Sequence, residues 1–173
     1  ERNLFFGRAM ETRKLYALVK AKPLVVLFSK SGIGKSSLLN AAVIPRLDHE
    51  LYRSIRIRIQ DVSQDPINTV KSELSKYLDP NKLAQFTNKN DASSSLWEYL
   101  RACDFTEGEN YRIPILIFDQ FEEFFLHRPQ VRQELTDELA DMVAERLPLA
   151  IRKKLRSIPF KDRSPELLAW CSP

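Results

Sequence analysis

The chain has 173 residues, of which 43% are hydrophobic and 29% charged, enough apolar material for one ordinary globular core and too much for a disordered chain. No apolar run approaches the roughly 18 to 20 residues of a membrane-spanning helix, and the start ERNLFF lacks the regions of a secretory signal, so a soluble, cytoplasmic protein is expected. Two cysteines (Cys103, Cys171) and two histidines (His49, His127) are too few for a disulfide framework or a typical zinc site. A net charge of +4 does not by itself make a polyanion-binding protein.

In chain order, the first strong signal is the run Leu24 to Phe28, which lacks polar alternation and predicts a strand buried on both faces, as in a parallel sheet. Gly32 and Gly34, two of only four glycines, follow at once and mark a special backbone site. Residues 35 to 47 predict a helix that kinks or ends at Pro45. The stretch Ile55 to Ile59 alternates isoleucine with Arg56 and Arg58, the pattern of an edge strand. Asp65 caps a predicted helix with Pro66 first and Ile67, Val70, Leu74 and Tyr77 or Leu78 on one face, ending at Asp79-Pro80.

A polar loop leads to a short helix in which Leu96, Leu100 and Cys103 share a face, which makes Cys103 a buried apolar residue. The run Ile113 to Asp119 predicts a central parallel strand with a carboxylate at its C-terminal end, where ligands bind in open α/β sheets. Phe121, Phe124 and Phe125 form a local apolar face, and Val131, Leu135, Leu139, Met142 and Val143 a helical stripe. A basic cluster (Arg152, Lys153, Lys154, Arg156, Lys161, Arg163) precedes a last short helix capped at Ser164-Pro165.

Residues Ser29-Lys30-Ser31-Gly32-Ile33-Gly34-Lys35-Ser36 match the Walker A pattern G-x-x-x-x-G-K-[ST] with serine in the first glycine's place. A compact loop of this kind aims backbone N–H groups at phosphate oxygens, and the helix after it, here with Ser37 in its first turn, adds a positive N-terminal end. Lys35 is the candidate for the β- and γ-phosphates and Ser36 for a Mg²⁺ ligand. Asp119 supplies the Walker B carboxylate for Mg²⁺. Of the acids behind it, Glu123 and then Glu122 are candidates to activate water, with Gln120 as a water-positioning amide; the plainer reading is that both glutamates favour a helix N-terminus.

The combination FFGR, SGIGKSSLLNAAVIPRL and ILIFDQFEEFF resembles the novel STAND NTPases, signal-transduction ATPases related to the NACHT and AP-ATPase classes. The resemblance covers about residues 4 to 126. It implies an α/β, three-layer P-loop NTPase of the ASCE/AAA+-like kind, whose parallel sheet is flanked by helices and binds Mg-ATP as a switch. It also implies sensor and effector regions on the same polypeptide and self-association through the domain. In such proteins the hhGR element, here Phe5, Phe6, Gly7 and Arg8, lies near the adenine; core packing is the alternative for the two phenylalanines. The expected organisation is a segment over 1–22 carrying that element and a core over 23–173, with Walker A at 29–36 and Walker B at 113–119 extended to 123. The family's strand order, 5-1-4-3-2, leaves no strand 4 here, so a core truncated before its fourth strand, and a fragment of a larger protein, are expected.

Three rivals stand beside this reading. Asn88-Lys89-Asn90-Asp91 matches the N-K-x-D guanine motif, but it precedes Asp119 instead of following it, and DQFE replaces D-x-x-G. A non-catalytic scaffold that holds ADP or ATP and acts by assembly is the main alternative. Nucleic-acid binding through the basic tail and the Arg56/Arg58 face lacks interleaved aromatic residues.

Overall fold

The structure, a computed structural model, describes residues 8–30, 32–82, 94–144 and 146–163. It is mixed α/β, and the chain divides into two compact units: Glu1–Arg56 with Phe105–Asp119, and Ile57–Asp104 with Gln120–Pro173.

The first unit opens with a helix absent from the sequence reading, α1 (Ala9–Ala21). Its sequence AMETRKLYALVKA contains no glycine or proline and is rich in strong helix formers, and it stops just ahead of Lys22-Pro23. After the glycine loop come α2 (Lys35–Leu38), a π-helical turn (Leu39–Val43) and α3 (Ile44–His49). The expected break at Pro45 is thus a widened turn placed just before the proline. A ring that lacks an N–H and crowds the carbonyl four residues back is accommodated by that widening. Leu15, Leu38, Val43 and Leu47 form the core of this unit, with Tyr16, Val19, Val25, Tyr52 and Ile115 against it.

Strand β1 (Tyr52–Ile57) and strand β4 (Ile113–Phe118) form a two-stranded parallel sheet. Ile55, Ile57 and Ile59 are all buried, so the alternation in IRIRI holds. Between the sheet's strands in sequence lies a small hairpin, β2 (Thr106–Glu107) and β3 (Asn110–Tyr111), turned at Gly108 with φ 62°.

Two expectations need correction. The run 24–28 forms no strand or helix, and Leu24, Val26 and Phe28 are 62%, 73% and 87% exposed. Strand β4 is half-buried, not fully enclosed. Both departures share one cause. Among the described residues no strand lies beside 24–28, and none but β1 pairs with β4. Without neighbours, backbone N–H and C=O groups turn to water and the apolar faces stay open. The described sheet therefore has two strands and not the full three-layer arrangement.

In the second unit, α4 (Pro66–Leu74) is capped by Asp65, whose Oδ1 accepts from the Ile67 N–H at 2.8 Å, and it buries Val70 and Leu74. It packs on α5 (Leu96–Ala102) and α6 (Pro129–Val143). A capping box of Ser95 and Glu98 starts α5. Cys103 is buried as expected, its Sγ donating to the Tyr99 carbonyl at 3.3 Å, and burial pushes its thiol up to about 11, which keeps it unreactive. Trp97 and Ile151, the latter on α7 (Leu149–Ser157), make a second buried cluster. Residues 88–91 and the tail from Ser164, including Cys171, lie outside the described residues.

Candidate functional site

Gly32 and Gly34 have φ of 83° and 80°, the left-handed region that side chains avoid. Gly34 is the residue before α2, and its carbonyl accepts the first helical bond from the Leu38 N–H at 2.9 Å. Ser29, in the position where the motif has glycine, has no positive φ, so the serine fits this backbone without strain. The Lys35 ammonium lies back across the loop and donates to the carbonyl oxygens of Ser29 at 2.8 Å and Lys30 at 3.3 Å. Ser36 and Ser37 are exposed in the first turn of α2. Ser31 lies outside the described residues, as do Phe5, Phe6 and Gly7.

Arg8 is described, and its guanidinium reaches this loop: Nη1 donates to the Ile33 carbonyl at 2.8 Å and the Gly34 carbonyl at 3.4 Å. Asp119 directly follows β4 with a side chain only 10% exposed, and Arg56 Nε stands 3.7 Å from its Oδ2. Arg56 also donates to Asn40. The first unit therefore contains the glycine loop, Lys35, Ser36, Arg8 and Asp119.

Gln120, Glu122 and Glu123 belong to the second unit. Gln120 is the one described non-glycine residue with positive φ, at 57°, a strained position of the kind that clusters at functional sites. Its side-chain oxygen accepts from Gln60 Nε2 at 2.7 Å. Glu122 and Glu123 occupy the first turn of a 3₁₀ helix, Phe121–Leu126; Glu122 is exposed and Glu123 half-buried. Phe121, Phe124 and Phe125 make the expected aromatic cluster, Phe121 stacking on Phe124 at 4.7 Å between centroids, although Phe125 is largely exposed.

A family model, Novel STAND NTPase 1, matches residues 1–158. The chain belongs to that family. No curated protein and no solved structure gives a match. Membership in the STAND NTPases makes this a nucleotide-binding switch module. Among the described residues, no helix is long and apolar enough to cross a membrane.

In this STAND NTPase, two partners of the motif residues escaped the sequence reading, Arg56 for Asp119 and Gln60 for Gln120. The signal for Arg56 was present: alternation sets it opposite the isoleucine face of β1, and β1 is the strand beside Asp119's own. For Gln60 no pattern existed, because it lies beyond the strand and its pairing depends on how the chain turns at Gln120.

Proposed function

We propose that the chain binds Mg-ATP through residues 29–36 and hydrolyses it, as the switch module of a multidomain signalling or defence protein built on a P-loop core. The observation that carries the reading is the loop itself: two left-handed glycines, and a lysine folded over the loop's own carbonyls. That arrangement leaves the loop N–H groups to meet phosphate oxygens, with Lys35 close enough to transfer from carbonyl to phosphate oxygen.

The donor set suits Mg²⁺. Asp119 is mostly buried and already faces a cation, Arg56, and Ser36 offers a hydroxyl in the first turn of α2. Ser36 and Asp119 would hold the ion, which when bound neutralises charge on the β- and γ-phosphates. Glu123 is the better general base of the acidic pair, because its half-buried position limits competition from bulk water, with Glu122 second and Gln120 orienting the nucleophile. Binding of ATP or ADP, self-association and coupling to sensor and effector regions belong to the same reading.

Thermal unfolding tests it. At a concentration of Mg-ATP about 100-fold above Kd, binding stabilises the native state by about 2.7 kcal/mol, a rise of roughly 5–10 °C for a chain of this size. The rise is expected with Mg-ATP and Mg-ADP but not Mg-GTP, and is lost in Lys35→Ala. Glu123→Gln is expected to keep the shift and lose turnover. The second reading, a non-catalytic scaffold, is favoured by the Arg56–Asp119 pair, since that carboxylate must change partners before it holds a metal. A Mg-ATP shift in a parent that shows no turnover would support it, whereas equal turnover in Glu123→Gln and the parent would only remove Glu123 from the catalytic role.

A further inference from the structure

The geometry points to Arg8 as a positioning residue that aims the loop's N–H groups at phosphate, a role that acts through the loop and not through the base; it rests on the nucleotide-binding reading above. A trans peptide is planar, so its C=O and N–H point in opposite directions. The Ile33 carbonyl shares a peptide with the Gly34 N–H, and the Gly34 carbonyl shares one with the Lys35 N–H. Arg8 Nη1 takes the Ile33 carbonyl at 2.8 Å and thereby turns the Gly34 N–H to the opposite side. It also reaches the Gly34 carbonyl at 3.4 Å, which the Leu38 N–H already holds at 2.9 Å, so Arg8 and the first turn of α2 together set the Lys35 N–H.

The guanidinium is delivered from a firm base. The Arg8 carbonyl accepts from the Thr12 N–H at 3.0 Å and from Thr12 Oγ1 at 2.9 Å. Thr12 is buried, and Leu15, one turn on, packs with Leu38, Val43 and Leu47. Glu11 stands 3.7 Å from Arg8 Nε on the same turn. Gly34 is the residue that permits the approach: a Cβ there would lie 3.3 Å from Arg8 Nη1 on a backbone already in the left-handed region. Helix α1 and the helix after the loop are thus packed together, and Arg8 ties the intervening loop to that packed pair.

The test uses the full chain, isotope-labelled, with Arg8→Ala, Arg8→Gln and Arg8→Lys. In the parent, ¹⁵N order parameters at Gly34 and Lys35 are expected near 0.85, and in Arg8→Ala and Arg8→Gln below about 0.6, with α1 unchanged. Arg8→Lys, which keeps a cationic donor, is expected to restore part of the order. Inorganic tripolyphosphate, which has no base, is expected to bind about tenfold more weakly to Arg8→Gln than to the parent, with adenine-over-guanine preference unaltered. Unchanged order at Gly34 and Lys35 in Arg8→Gln, or unchanged tripolyphosphate affinity with a loss of base preference, overturns the assignment. If Arg8→Ala unravels α1, Arg8→Gln decides. If neither ATP nor tripolyphosphate binds the parent, the nucleotide reading falls, and the order parameters still decide what Arg8 does.

Discussion

The runs LVVLF at 24–28 and IPILIF at 113–118 are both apolar throughout and have the same expected fate, yet only the second becomes a strand. Strand β4 is received by β1: the Ile113 N–H donates to the Leu51 carbonyl at 2.7 Å, Arg112 donates to the Glu50 carbonyl, and Glu107 holds Arg112 at 3.1 Å and Arg53 at 2.8 Å. In the run 24–28 Val25 is half-buried, packed against the core of the first unit, and the other four residues are exposed. Apolar character says which segment gains from burial, but a strand also needs a neighbour to take its backbone groups.

The sharpest way to break this comparison is a charge in each run. Ile115→Asp puts a carboxylate against the Leu15–Leu38 cluster and should cost about 3 kcal/mol or more by urea denaturation. Val26→Asp, at an exposed position, should stay within about 0.5 kcal/mol. Similar losses from both would mean that 24–28 is covered in solution.

A finer contrast lies inside the run. Val25→Ala removes two methyl groups from a packed position and should cost about 1 kcal/mol, whereas Val26→Ala should change stability by less than about 0.5 kcal/mol. The same denaturation series reads both. A reversal of the two would place the other face of the run inward.

This contrast also marks what could be read in the residues. The loop, the capped helix at Asp65, the alternation of β1 and the burial of Cys103 were legible because each is decided within a few residues, by a φ requirement, a cap, or a period. The state of 24–28 was not, since pairing is decided by a segment far away in sequence. The same holds at the site. Lys35 and Asp119 stand out by motif, and the alternation of β1 sets Arg56 on the face opposite its isoleucines, but that Arg56 meets Asp119 and that Arg8 reaches the carbonyls of Ile33 and Gly34 depends on sequence separations that no local pattern encodes. Helix α1 was overlooked although its signal was local: Thr12, Leu15, Tyr16 and Val19 follow the i, i+3, i+4, i+7 spacing of a helix face, and they are the residues it turns inward.

The smallest expected effect concerns how β4 is held at its start. Glu107 is held below the ordinary carboxylate range, first by its hydrogen bond from Arg53 and then by the charges of Arg53 and Arg112. Glu50 is lowered too, by hydrogen bonds from Tyr16 and then Lys20. A folded-state pKa below the unfolded one gives stabilisation that is complete above the ordinary glutamate range and disappears as pH falls through the depressed value. Between about pH 6 and about pH 3, amide exchange at Ile113, corrected for intrinsic rates, should therefore lose protection. The amides of Val26 to Phe28 should have none to lose at either pH. Glu107→Gln should flatten part of the Ile113 dependence by removing one of the two carboxylates. If protection at Ile113 is the same at both pH values in the parent, the ladder to β1 holds the strand without help from its flanking charges. The difference between the two runs would then rest on strand pairing alone.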